Sequence, residues 1–178
     1  MSKYSIATLG AGCFWCTEAC FDSLKGVQSV VPGFSGGTLE SPTYEEVCSG
    51  TTGHAEVAQI HFDPKEVSFA ELLKVFWFIH DPTQLNRQGN DIGTHYRSVI
   101  FYHNSDQEKE AREYKQKLSE QRVWKNPVVT DIVSFEKFYT APNYHKDYLK
   151  NNPENMYCQL VVKPKVSHFK SVFSEILK

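Results

Sequence analysis

An α+β fold, a mixed β-sheet with helices packed on it, is what this sequence predicts, and three observations predict it. Alternating strand-like runs and amphipathic helix-like runs follow one another in mixed order along the chain. No repeat, low-complexity tract or long linker separates them, so residues 1–178 read as a single domain. With 178 residues and 40% apolar content the chain is long enough to bury its own core.

The elements follow in order. "YSIATLG" (4–10) reads as a strand that runs into Gly10 and Gly12. Phe14, Cys20, Phe21 and Leu24 then take helical spacing until Gly26, which puts Cys13 between a glycine turn and a helix start. "VQSVVPGFSGG" (27–37) is a strand entering a glycine-rich turn, followed by a polar loop around Pro42. "HAEVAQIHF" (54–62) suits a strand. Ser68 and Glu71 form a capping box ahead of "FAELLKVFWFIH", a helix that Asp81-Pro82 should end. "PTQLNRQGNDIGTHY" (82–96) is too long and polar for a tight turn and reads as a functional loop. "RSVIFYH" is a strand, and Ser105 with Glu108 caps a charged helix to about Gln121. "VVTDIVSF" is a further strand, "YHKDYLK" a short helix and "VSHFKSVFSEIL" a terminal helix.

Composition excludes several classes of function. A net charge of −2 gives no electrostatic reason to expect nucleic acid or an anionic membrane as partner. Apolar runs such as "VFWFI" fall far short of the ~20 residues that span a bilayer. "MSKYSIATLGAG" contains no long apolar stretch, so no secretory signal is expected. Five cysteines in that context point to a reducing cytoplasm, where thiols are free, catalytic or metal-bound.

Three of those cysteines fall within "GAGCFWCTEACF" (10–21). A helix start offers unpaired N–H groups and a positive dipole end, so a thiolate at Cys13 is expected to be stabilised there. A structural zinc site wants four ligands; neither a second C-x-x-C nor H-x₃₋₅-H follows at finger spacing, so no metal is expected. Cys20 and Cys48 read as small buried apolar residues. Phe14 and Trp15 could be core, or a water-poor wall beside a reactive sulfur. Activation of Cys13 by His54 or His145, as in a hydrolase, stays open at this point.

Four segments carry a resemblance. "GCFWC" (12–16), "SPTYEEVCSGTTGHAEVAQIHFDP" (41–64), "HDPTQLNRQGNDIGTHYRSVIFY" (80–102) and "FYTAPNYHKDYL" (138–149) are similar, in this order, to the peptide methionine sulfoxide reductases of the A type. Phe34 stands where that family often has tyrosine, and His95 where it usually has glutamine. The resemblance implies a ferredoxin-like two-layer sandwich and thiol-dependent reduction of methionine S-sulfoxide, in proteins or as the free amino acid. It gives the attack on sulfur to Cys13 and the acid donors for the oxygen to Glu56, Tyr44 and Tyr96. Glu56 can donate at neutral pH only if burial raises its pKa. Phe14 and Trp15 would receive the S-methyl group, and Asp91 would support the pocket, by holding the long loop or accepting a substrate amide; read without the resemblance, Asp91 caps a turn. Attack leaves a sulfenic acid on Cys13. A second thiol converts it to a disulfide, and thioredoxin, by resemblance, reduces that disulfide. Electrons come through thiols, so no cofactor is implied.

The second thiol has three candidates. Cys16, three residues on, is a neighbour at ~5–6 Å on a helix. Cys158 in "NPENMYC" resembles the family's first recycling cysteine, but "QLVVKPKV" after it reads as an apolar strand rather than a mobile tail. Cys20 lies about 10 Å along the helix, too far without unwinding. Cys16 is the expected partner, with Cys158 next. Two rival readings remain: a general disulfide oxidoreductase built on C-F-W-C, and a module that binds methionine-rich partners without turnover. A monomer is expected.

Overall fold

The structure, a computed structural model, describes residues 3–178. Met1 and Ser2, which open the expected 1–178 domain, lie outside the described residues. The chain runs β1 (Ser5–Ala11), α1 (Phe14–Asp22), β2 (Val27–Ser35), α2 (Tyr44–Cys48), β3 (Ala55–Phe62) and α3 (Phe69–Ile79). A two-residue hairpin pair follows, β4 (Arg87–Gln88) and β5 (Asp91–Ile92), then β6 (Ser98–Tyr102), α4 (Ser105–Glu120), β7 (Asp131–Ser134) and β8 (Phe138–Thr140). The chain ends through α5 (Tyr148–Asn151), a π-helical segment (Cys158–Val162) and α6 (Lys163–Val172).

The main sheet has the order β7-β6-β1-β3-β2-β8. Its centre, β6-β1-β3-β2, is antiparallel throughout and is threaded β1-α1-β2-β3-α3-β6, the split βαβ arrangement of a ferredoxin-like sandwich. β7 adds in parallel beside β6, and β8 adds antiparallel beside β2.

Strand parity decides which side chains meet the helices. Ala7, Leu9 and Ala11 of β1, Val30 of β2, Ala58, Ile60 and Phe62 of β3, and Ile100 of β6 share one core with Cys16, Cys20, Phe21 and Leu24 of α1. Ala55, Val57, Val99 and Phe101 turn to the opposite face, where Phe135 and Phe138 cover them. Glu56 has the parity of Ala58 and Ile60, so its carboxylate points to the helix face. Phe34 is its cross-strand partner and shares that face. No described helix is long and apolar enough to cross a membrane.

Several expectations need correction. "QLVV" is not a strand: residues 158–162 are π-helical and lead directly into α6. Continuing the helix satisfies the backbone of this stretch within the segment, and Val162 and Val166 pack on the core while Leu160 stays exposed. α4 is capped by Asn104, whose side chain accepts from Gln107 N–H at 2.9 Å; Ser105 is already helical. The Ser68–Glu71 capping box of α3 forms as expected. The loop around Pro42 contains α2, closed by its own capping box of Thr43 and Glu46. "Thr-x-x-Glu" at 43–46 is the signal that could have revealed it.

Candidate active site

The carboxyl end of β1 delivers Gly10-Ala11-Gly12 to the amino end of α1, with Cys13 as its N-cap residue. Gly12 has φ +87°, and a Cβ there would stand 2.8 Å from Cβ of Gln88. A Cβ on Gly10 would stand 3.1 Å from the Glu56 carbonyl. Both glycines are therefore required by close approach, one to the long loop and one to β3.

Cys13 makes no side-chain cap. The first free N–H of α1, that of Phe14, instead donates to Oε1 of Glu56 at 3.2 Å. The helix start thus splits its donors between two groups. Trp15 N–H lowers the Cys13 pKa and Phe14 N–H lowers that of Glu56. Burial wins over both. It holds the Cys13 thiol well above its ordinary value, and the adjacent Cys16 thiol adds to the shift. Burial thus opposes the thiolate expected at the helix start and favours the thiol form of Cys13. Glu56, 1% exposed, is likewise pushed well above the carboxylate range by burial and then by the Cys13 charge. Its Oε2 is buried without a partner.

Tyr44, at the start of α2, and Tyr96, in the 3-10 turn Thr94–Tyr96, are half-buried on either side of Glu56 in sequence. Burial pushes both phenols far up, and the Glu56 charge adds to it, so both keep their protons across the working range. Asp91, opening β5, accepts from Tyr157 Oη at 2.5 Å. That bond ties the long loop to the segment that carries Cys158, and the Asp91 charge reaches Cys13, Glu56 and Tyr96.

An aromatic wall surrounds the cluster. Phe14 is buried against Phe34 (centroids 5.9 Å), Tyr44 (6.4 Å) and His145 (5.1 Å). Trp15 stays half-buried, stacks on Tyr148 at 3.7 Å and donates from Nε1 to Nδ1 of His145 at 3.0 Å. Burial pushes His145 down to about 4, so its neutral ring accepts that bond. Glu18 of α1 fastens this segment: buried, it accepts from Lys146 Nζ at 2.8 Å and from Asp147 N–H at 2.9 Å. His54 lies elsewhere, held by Gly37 N–H and the Leu39 carbonyl. His145 is committed to Trp15 through Nδ1, so neither histidine supports the hydrolase reading.

Cys16 is buried and hydrogen-bonded to the Cys13 thiol. Cys158 is fully buried in the π-helical segment and feels the Cys13 charge. All five cysteines are free. Cys20 packs in the core as expected, and burial pushes it up to about 12. Cys48 departs from the packing expectation: it is half-buried and hydrogen-bonded to Tyr44, its i−4 neighbour on α2. Recognising α2 would have exposed that pairing, because residues four apart share a helix face. His145, Tyr148 and Tyr157 were not legible as wall residues, since their proximity to Trp15 depends on tertiary packing.

A thiol beside a buried carboxyl with a raised pKa and two protonated phenols is equipped to deliver protons to a leaving oxygen, not to withdraw one from water. Fold and cluster together define a thiol-dependent oxidoreductase class. The family described as peptide methionine sulfoxide reductase matches residues 5–176, and the chain belongs to that family. It is 54% identical over 173 residues to the peptide methionine sulfoxide reductase MsrA of Saccharolobus solfataricus, covering 97% of each chain. To the MsrA of Thermus thermophilus it is 46% identical, again covering 97% of each. Among solved structures, reduced Mxr1 from Saccharomyces cerevisiae superposes with TM-score 0.80 at 36% identity, covering 88% of this chain and 90% of that one. Mxr1 in complex with Trx2 matches with TM-score 0.57 at 26% identity, covering 82% and 85%.

Proposed function

We propose that the chain reduces methionine S-sulfoxide to methionine, with Cys13 as nucleophile and Glu56 as acid. Cys13 Sγ attacks the sulfoxide sulfur, and its thiol proton passes to the Glu56 carboxylate that donation to the sulfoxide oxygen leaves behind. Glu56 donates to the sulfoxide oxygen, and the Tyr44 and Tyr96 phenols hydrogen-bond to it. The S–O bond of the substrate breaks as the oxygen passes to Cys13. The methionine sulfur gains two electrons, and Cys13 is left as a sulfenic acid. The Cys16 thiol then attacks that sulfur, with Cys158 the next candidate; a disulfide forms and water leaves. An external dithiol restores both thiols by exchange. The Trx2 complex of Mxr1 supports thioredoxin as that dithiol.

The observation that carries this reading is Glu56: buried, its pKa raised by that burial, held through one oxygen by Phe14 N–H and with the other unpartnered. A disulfide exchanger needs no such acid. Trp15 and Phe14 form the methyl-receiving wall, and Asp91 holds the loop that closes the pocket. The remaining parts of the reading are a single catalytic domain over 1–178, a monomer working in the cytoplasm without nucleic acid or membrane, and a reaction that needs no resident cofactor.

The test is turnover with dithiothreitol and each epimer of a blocked methionine sulfoxide, followed as methionine. The S epimer should be consumed and the R epimer left. No consumption of the S epimer overturns the proposal.

A further inference from the structure

Cys48, Glu56 and His95 come from three separate segments: the end of α2, β3 and the 3-10 turn Thr94–Tyr96. Yet a thiol sulfur, a carboxylate oxygen and an imidazole nitrogen from them all lie within 4.8 Å of one another. Glu56 is 1% exposed and His95 5%, and each leaves a buried polar atom without a partner, Oε2 and Nδ1. A buried polar atom without a partner is costly, so this corner would gain from a ligand that accepts electron pairs. Sulfur, imidazole nitrogen and carboxylate oxygen together suit zinc and its d-block neighbours, whereas calcium and magnesium select oxygen throughout.

We propose that Cys48, Glu56 and His95 bind a borderline-soft divalent cation of the zinc class, and that its occupancy arrests the reductase. The arrest rests on the reading of Glu56 as proton donor; the binding does not. Tetrahedral zinc, with bonds of ~2.0–2.3 Å, sets its donor atoms roughly 3.3–3.8 Å apart, so the trio closes by roughly 1 Å. The side chains can supply that. Cys48 is half-buried at the last turn of a five-residue helix, and its loop is joined to the His95 turn by two side-chain bonds, Thr94 Oγ1 to the Gly50 carbonyl at 3.4 Å and Arg97 Nη2 to the Gly53 carbonyl at 2.9 Å. Three protein donors leave the fourth position to water. Coordination replaces the protons of the Cys48 thiol and the Glu56 carboxyl, which pass to solvent, and changes no oxidation state. A carboxylate bound to the cation has no proton to give. Tyr44 also loses its hydrogen-bond partner, because the Cys48 sulfur is taken.

The experiment uses the full chain, kept reduced with a phosphine, and Co2+ as a spectroscopic probe for the zinc class. One equivalent should bring up thiolate-to-cobalt charge transfer in the near ultraviolet, and Zn2+ should bleach it. The bands should persist in the Cys13→Ser, Cys16→Ser double variant and vanish in Cys48→Ser and in His95→Gln. In single turnover without added dithiol, stoichiometric Zn2+ should slow wild-type methionine formation more than tenfold, and a chelator should restore it. The same Zn2+ should slow Cys48→Ser and His95→Gln less than twofold. Bands that survive both of those variants, or that disappear with the Cys13 and Cys16 thiols, overturn the site. Bands of the expected pattern with undiminished turnover overturn the arrest. A metal-free protein that never reduces the S-sulfoxide, yet shows the bands, rejects the functional reading and the arrest while supporting the site.

Discussion

Replacing Glu56 by Gln removes one buried titrating group while keeping its shape and an acceptor for Phe14 N–H, and the structure fixes the direction of the result. Glu56 is raised well above its ordinary value of 4.5 by burial, with the Cys13 charge second. A folded-state pKa above the unfolded one gives stability that is fully present below the unfolded pKa and lost as pH rises through the folded one. Between those two values the folded wild type holds one proton that the unfolded chain has released. Each pH unit in that window therefore costs about 1.4 kcal/mol, or about 3–6 °C in Tm for a chain of this size. The Gln variant lacks this slope. Melting wild type and Glu56→Gln in matched buffers from pH 5 upward should show the variant gaining on wild type with each step. The gain should stop once Glu56 ionises in the folded state. Activity moves with the same group: methionine formation by wild type should fall as pH rises through that point, and the variant should lose a factor of about 10²–10⁴ with little of that high-pH fall remaining. Parallel Tm curves across the whole range would refute the claim that Glu56 is held neutral.

Gly12→Ala puts a Cβ into the left-handed region, 2.8 Å from Gln88, and should destabilise by about 1–3 kcal/mol in denaturant melts, with a larger fall in turnover because Cys13 is displaced. Lys146→Met strips the buried Glu18 of its cation and, because Lys146 is partly exposed and Asp147 N–H still bonds Glu18, should cost about 1–3 kcal/mol; tryptophan fluorescence should report Trp15 loosening from His145. Thiols counted after one equivalent of substrate, without reductant, should fall by two in wild type and in Cys158→Ser. In Cys16→Ser, loss of two thiols with a disulfide mapped to Cys158 would transfer the resolving role there.

How much of this was legible depends on the range of the interaction. Strand parity, the Ser68 capping box and the glycine turn before Cys13 are local patterns, and the α+β class follows from them. α2 was equally local, but its five residues are too short for helical periodicity to show, and only its Thr43–Glu46 box marks it. The chemistry of Cys13 depends on a competition that the sequence describes on one side only. A helix start promises N–H donors and a lower thiol pKa. The depth of burial that outweighs them comes from β3, the long loop and the segment around Tyr157, all distant in the chain.

The neutral resting state has a consequence for the order of events. With Cys13 a thiol and Glu56 an acid, the empty site holds both protons that the reaction needs to turn a sulfoxide oxygen into water. A pre-formed thiolate beside an ionised Glu56 would supply neither, and a Cys13 charge within this buried cluster raises the Glu56 pKa further. The polar sulfoxide itself is the group that can tip the balance. Its oxygen accepts from Glu56 while its positive sulfur faces Cys13, so proton donation and nucleophilic attack become favourable together. Phe14 N–H then stabilises the carboxylate that donation leaves behind, which is why the first donor of α1 is aimed at Glu56 rather than at the nucleophile.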